Sequence, residues 1–252
     1  MIRTAILSDV HANLAALEAV RADIDAAGVE RIVCLGDTVG YGPHPRECLD
    51  HAAEFSLHIL GNHDSSALFD PEGFNRVAES AIFWTRGVLQ RDDGDGSDAE
   101  RRLRMICDMP LSVVEDDVLF VHGSPRGPTN EYVFPEDTGN TRKMTKLFSI
   151  VRRVSFQGHT HVPGVFVDDG RFIRSDDLDD GIDLNEAWRK YMVNVGSVGQ
   201  PRDGDPRACY VIVDGDRLSF RRVEYDVQRT IDAVEAEPEL DDVLGHRLRE
   251  GR

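Results

Sequence analysis

The sequence predicts an α/β protein with its functional groups gathered at strand ends. Three observations carry this. Strand, helix, strand, helix and strand alternate over the first 60 residues, the pattern of an α/β layer with parallel strands. The second half is rich in short strands, two of them joined to the next by tight Asp/Gly turns. Hydrophobic residues make up 40% of the 252 positions, enough for a sizeable core and too many for a disordered chain.

Residues 3–8 (RTAILS) read as a buried strand and 12–27 as an amphipathic helix. Leu14, Leu17, Val20 and Ile24 recur on one face of that helix, and Gly28 stands where a C-terminal cap belongs. RIVCLGD (31–37) is a second strand, 45–53 a helix begun by a proline, and 56–60 (SLHIL) a third strand. Two helices are expected between 73 and 107, then strands at 111–115, 118–121, 153–156, 163–167, 171–174, 191–195, 208–213 and 217–223, with a helix near 136–150. Asp168-Asp169-Gly170 and Asp214-Gly215-Asp216 suit hairpins. Residues 226–248 read as an acidic helical pair and 91–98 as a polar loop. The acidic stretch 176–186 lacks the D-x-D-x-D-G order and closing Glu of a calcium loop, so it reads as a solvated loop.

Lys and Arg number 29 against 46 Asp and Glu, a formal net charge of −17. Duplex nucleic acid and anionic membranes are excluded as partners, because affinity for them comes from basic residues neutralising phosphates. A small anionic substrate stays open. No apolar run approaches the ~20 residues of a membrane span. The opening MIRTAILSDV meets an Asp at once and does not resemble a signal peptide. The four cysteines, at 34, 48, 107 and 209, lie far apart with no C-x-x-C pair. A cytoplasmic protein with reduced thiols is the expectation.

Five strand ends carry metal-type donors: Asp9-Val10-His11, Gly36-Asp37, Gly61-Asn62-His63-Asp64, Val121-His122-Gly123 and Gly158-His159-Thr160-His161. Five of the nine histidines fall in these segments; His44, His51, His58 and His246 are scattered. On an extended segment residues i and i+2 point the same way, so D-x-H and H-x-H can each aim two donors at one centre. Loops beyond strand carboxyl ends meet at one crevice in α/β sheets. Each segment alone is an ordinary turn or a core histidine; five of them, all at strand ends, are not. Carboxylate, imidazole and amide oxygen suit borderline ions such as Mn, Fe or Zn. The seven donors Asp9, His11, Asp37, Asn62, His122, His159 and His161 exceed one tetrahedral zinc and fit two ions sharing a carboxylate, a natural task for Asp37.

In this order D-x-H, G-D-x-x-G-Y-G-P, G-N-H-D, H-G and G-H-T-H resemble the calcineurin-like metallophosphoesterases. The likeness runs from Ile2 to about Tyr210. V-H-G-S-P at 121–125 and G-S-V-G-Q-P-R-D-G-D-P at 196–206 point to the small, single-domain prokaryotic branch of phosphodiesterases and phosphatases. One small departure is Val195, where that branch commonly has proline. The resemblance implies an α/β (α+β) fold, a four-layer αββα sandwich of two mixed β-sheets with a dinuclear metal centre at the strand ends. One domain over residues 1–252 is expected, with 66–107 either a helical lid over the site or a structural insert, and 226–252 a helical tail. Asp9, His11 and His161 would bind one divalent ion, Asn62, His122 and His159 the other, with Asp37 bridging. Manganese is favoured over Fe, Zn or Ni. His63 would be the acid facing the leaving group, and Asp64 would orient it. The reaction implied is in-line attack on phosphorus by a hydroxide bridging the two ions.

Tyr41, Arg126, Tyr132, Arg142 and Arg202 flank the motifs as candidate substrate contacts, with Lys143 and Arg207 behind them. Segment 141–155 carries five basic residues and no acidic one, against the trend of the chain. The expected substrate is a small phosphorylated or nucleotide-like molecule: a phosphodiester, a phosphomonoester or a dinucleoside polyphosphate. A serine/threonine protein phosphatase is the alternative, disfavoured by the lack of a peptide-binding module. A non-catalytic scaffold on the same fold would tolerate loss of the acid histidine, and here His63 and Asp64 are both present.

Overall fold

The apolar run Thr4–Leu7 forms β1 and illustrates how the layers assemble. Successive strand residues face opposite sides. Ile6 enters a core with Val33, Leu35, Phe120, Phe156 and Val193, while Ala5 and Leu7 pack with Leu17, Val20 and Ile24 of α1 (Leu14–Ala26). The computed structural model describes residues 2–91, 97–186 and 188–252, so most of the polar loop expected at 91–98 lies outside the described residues.

Two six-stranded sheets face each other across the Ile6 core. In the first, β1 pairs in parallel with β2 (Arg31–Cys34), and β2 with β3 (Leu57–His58). On its other side β1 pairs antiparallel with β11 (Ala208–Asp214), which forms a hairpin with β12 (Arg217–Val223). The second sheet runs β4 (Ser112–Glu115), β5 (Val118–Val121), β6 (Val154–Gln157), β10 (Tyr191–Asn194), β7 (Gly164–Val167) and β8 (Phe172–Arg174). There β5, β6 and β10 are parallel and the remaining pairs antiparallel. Both expected hairpins are present, and both sheets are mixed.

Helix α1 covers the outer face of the first sheet. On the second, α6 (Thr141–Ile150) buries Met144, Leu147 and Phe148 against Phe166 and Met192. The four layers are therefore αββα. Helices α2 (Pro45–Ala52), α3 (Asn62–Leu68), α4 (Arg76–Gln90) and α5 (Ser97–Cys107) share a cluster of Leu49, Ala67, Leu89 and Ile106. The C-terminal helices α7 (Val227–Glu235) and α8 (Val243–His246) pack Val234 and Leu244 against Trp84 of α4 and the Tyr41 ring.

The structure departs from the sequence expectations in three places. The division into an α/β half and a β-rich half is not a division into sheets, because β11 returns to pair with β1 and carries β12 into the same sheet. The helix expected near 136–150 is a 3-10 turn, Pro135–Gly139, followed by α6, which Asn140 caps by accepting from the Lys143 N–H. The acidic loop 176–186 hides β9 (Ile182–Asp183), which pairs with β12; the buried Leu184 beside it anchors the segment to the core. Among the described residues no helix is long and apolar enough to cross a membrane.

Candidate metal centre

All seven donors lie on turns at strand ends or, for Asn62, in the first turn of α3, and all are buried. They form two overlapping clusters. Asp9, His11 and His161 make one: His161 Nε2 lies 3.0 Å from Asp9 Oδ1 and 3.2 Å from His11 Nε2. Asp37, His122, His159 and Asn62 make the other, where His122 Nε2 is 3.0 Å from Asn62 Oδ1 and 3.1 Å from His159 Nδ1. Asp37 joins them, its Oδ2 lying 3.3 Å from His122 Nε2 and 3.8 Å from His11 Nε2. Asp37 thus lies within reach of both clusters.

The donor set fits divalent cations. Leu35 O and Gln200 O, which can only accept, lie 3.0 and 2.5 Å from the Nδ1 atoms of His122 and His161. Those nitrogens donate outward, so Nε2 is the atom each ring turns towards the cluster, the orientation of a ligating histidine. Asp9 Oδ1 is buried with no hydrogen-bond donor. A group of lone pairs converging within 3–4 Å is mutually repulsive unless positive charge lies among them. The titration behaviour agrees: although burial opposes it, the Asp37 carboxylate pushes His122 up to about 9. Burial would likewise raise Asp9 and Asp37, but the surrounding imidazoles hold both below the usual carboxylate range. Burial pulls His159 down to about 3 and His161 to about 4, leaving them unprotonated and ready to ligate.

The backbone is bent to make these approaches. Among the described residues nine non-glycine positions have positive φ, and five of them are the donors Asp9, His11, Asp37, His159 and His161. Asp and His are among the residues that tolerate this region best, and such conformations persist only where the surroundings impose them. Glycines at 61 and 158 are required for a different reason. A Cβ on Gly61 would overlap the Asp37 carboxylate, and one on Gly158 would overlap Ser8 and the Asp9 carboxylate. These two glycines leave room for the carboxylate of a neighbouring ligand residue.

His63 is buried, its ring 4.8 Å from that of His11 and 4.4 Å from Tyr41, with Phe74 edge-on at 4.9 Å. Burial holds its pKa well below the ordinary value despite the Asp37 charge. The expectation that Asp64 orients this ring needs revision. Its two oxygens accept from the backbone N–H groups of Val39 (3.1 Å) and Gly61 (3.2 Å). Asp64 therefore shapes the loop that delivers His63, without touching the imidazole in a hydrogen bond. Burial and the neighbouring Asp37 charge push its carboxyl up to about 7.

Of the candidate substrate contacts, three meet the centre. Tyr132 stacks on His159 with ring centroids 3.7 Å apart, and Phe134 stacks on Tyr132 at 5.4 Å. Tyr41 packs against His11 and His63. Arg202 Nη2 is 3.4 Å from the Tyr41 hydroxyl. Arg126 is instead paired with Glu131, and Arg142 is exposed on α6, so neither is brought to the cluster. Lys143 is engaged with Asp137 at 2.6 Å and Arg207 with Asp205 at 2.6 Å. The four scattered histidines stay away from the centre: His58, for example, shares a hydrogen bond with Thr38 at 2.6 Å, and His246 one with Glu235 at 2.7 Å. Sequence reasoning missed Phe74, Phe134 and Arg247; the last stands over the Tyr41 ring at 4.6 Å, and no motif surrounds any of them.

Comparison with known proteins gives a consistent picture. Residues 2–217 match the calcineurin-like phosphoesterase superfamily domain. An uncharacterized protein of Methanocaldococcus jannaschii is 34% identical over 258 residues, covering 98% of each chain. The crystal structure of a metallophosphoesterase from Sphaerobacter thermophilus is 36% identical, with a TM-score of 0.83 over 100% of both chains. A hypothetical protein from Pyrococcus horikoshii shares the fold at 21% identity and a TM-score of 0.75, covering 100% of this chain and 99% of its own.

Proposed function

The chain belongs to the calcineurin-like phosphoesterase superfamily, a family of metal-dependent phosphoester hydrolases, and on that premise we propose that its substrate is a small, nucleotide-like phosphate ester or anhydride. The observation that carries the reading is the convergence of seven buried donors into two clusters joined by Asp37. Asp9, His11 and His161 would hold one ion and Asn62, His122 and His159 the other, with Asp37 shared. Two divalent ions held there would supply Lewis-acid charge of about +4 to a bound phosphoryl group. Manganese is the favoured metal.

The protein's own groups do the rest. The Asp37 carboxylate accepts from the His63 N–H at 2.8 Å, which fixes the first turn of α3 and the position of the imidazole. His63 is the group that protonates the leaving oxygen. Burial keeps it neutral in the free protein, and an arriving phosphate anion favours its charged form, so the proton is taken up as the substrate binds. Tyr132 and Phe134, each about two-fifths exposed and stacked within 7° of parallel, offer a flat apolar face beside His159. That face suits a planar base, since base–aromatic stacking contributes about 1–3 kcal/mol.

The net charge of −17 favours such a small substrate over duplex nucleic acid or an anionic membrane. The four free cysteines support the cytoplasm as its compartment. The test is turnover of mono- and diester nitrophenyl phosphates, cyclic nucleotides and diadenosine polyphosphates by protein reconstituted with Mn, Fe, Zn or Ni. Hydrolysis of at least one class is expected. Failure on all of them with every metal would replace the enzyme by a scaffold on the same fold.

A further inference from the structure

The C-terminal segment brings an arginine to the metal centre from beyond the residues that match the family domain. Arg247 opens the 3-10 helix Arg247–Glu250, its guanidinium carbon 4.6 Å from the centroid of Tyr41. The other side of this arrangement is Arg202, whose guanidinium carbon is 5.9 Å from the same centroid. The Tyr41 ring in turn lies 4.7 Å from His11 and 4.4 Å from His63. Two cationic groups thus share one aromatic ring that is itself in contact with the candidate metal ligand and the candidate acid.

Neither arginine has an acidic partner among the described residues. Arg202 Nη2 bonds the neutral Gln200 Oε1 at 2.7 Å and approaches the Tyr41 hydroxyl. Nε and Nη2 of Arg247 are buried without a hydrogen-bond partner, and the guanidinium's polar neighbour is the neutral Tyr41 hydroxyl. The nearest acid in sequence, Asp203, is taken by Arg222. Arginines elsewhere are neutralised: Arg31, Arg153, Arg207 and Arg221 are each paired with a carboxylate at 2.6–2.9 Å. In a chain with 46 acids to draw on, these two guanidiniums repel each other and leave donors unsatisfied. A buried charge without a partner is costly, and a cation–π contact offsets only part of that. An anion between them satisfies both, since the guanidinium fork matches phosphate oxygens in pairs.

We infer that Arg247 and Arg202 form a second anion subsite beside the metal centre, which receives a phosphate adjacent to the scissile one. This rests on the phosphoesterase reading for the scissile group and specifies the substrate class: esters or anhydrides with at least two linked phosphates. The C-terminal segment is then part of the specificity of the site as well as a cover over α4.

Calorimetric titration of the full-length, Mn-reconstituted protein with methylenediphosphonate and with orthophosphate tests this. Wild type should prefer the diphosphonate. In Arg247→Met, which keeps the packing on Tyr41, the ratio of the two affinities should fall about tenfold or more, the scale of charge-assisted hydrogen bonds. Arg247→Lys should recover part of the ratio, and Arg202→Gln should lower it if the methionine variant does not fold. A ratio unchanged in Arg247→Met, or both affinities reduced equally, would overturn the subsite and leave Arg247 as a packing residue. If no phosphoester is turned over while the preference and its loss persist, the catalytic reading fails and the subsite stands.

Discussion

Asp37 holds His63 and His122 at once: its Oδ1 accepts the His63 N–H at 2.8 Å, and its Oδ2 lies 3.3 Å from His122 Nε2. One carboxylate therefore couples the loop after β2, the first turn of α3 and the loop after β5. Replacing Asp37 by Ala should remove both metal occupancy and turnover. Metal content by inductively coupled plasma mass spectrometry, read beside kcat, checks this; retention of two ions per chain would contradict a shared ligand.

His63 should separate from the metal ligands in the same pair of measurements. His63→Ala is expected to keep the ions and lose about 10²–10⁴-fold in kcat on a substrate with a poor leaving group, the usual contribution of a positioned proton donor. Unchanged turnover on such a substrate would remove the acid from His63.

Gly158→Ala should disturb the first cluster through sterics alone, because the added methyl group overlaps Ser8 and the Asp9 carboxylate. Overpacking of a rigid site costs about 1–3 kcal/mol. A lower Tm and a weaker metal affinity are expected together, by calorimetry with and without added Mn. A Gly158→Ala protein that binds Mn like wild type would show that the turn can move aside.

Removing the metals with EDTA should lower Tm, since a ligand present at about 100 times its Kd stabilises the folded state by about 2.7 kcal/mol. The Asp37→Ala protein should show no such EDTA-dependent shift, which scanning calorimetry of the two proteins will decide.

Away from the centre, Asp23 accepts from Arg221 at 2.7 Å and from the Tyr210 hydroxyl at 2.6 Å, and these partners, Arg221 first, hold its carboxyl below the ordinary value. A depressed carboxylate contributes stability that is complete above its unfolded pKa of about 3.9 and is lost as pH falls through the lower folded value. Asp23→Asn should therefore melt below wild type at pH 6 and converge with it towards pH 2. A constant difference across that range would place the effect in packing.

The donors were legible because their chemistry is local: D-x-H and H-x-H carry their own direction, and a glycine marks each close approach. Sheet membership was not, since nothing in 208–223 states that β11 returns to lie beside β1. That pairing follows from which faces are apolar in three dimensions. Asp64 differs for a related reason: the resemblance implies a role towards His63, while the start of α3 turns its carboxylate to the backbone of Val39 and Gly61. Arg247 was invisible because its meaning depends on Tyr41, about 200 residues away, and on its having no acidic partner among the described residues. The two-residue β9 carries too short an alternation to be read at all.

The left-handed backbone at Asp9, His11, Asp37, His159 and His161 bears on what this site can become. Exchange among Asp, Asn and His keeps a side chain that accepts such torsions. A cysteine or a β-branched residue at the same positions would pay in backbone strain before any question of coordination arose. Retuning the centre towards a thiolate-loving metal therefore asks for new loops, not new side chains.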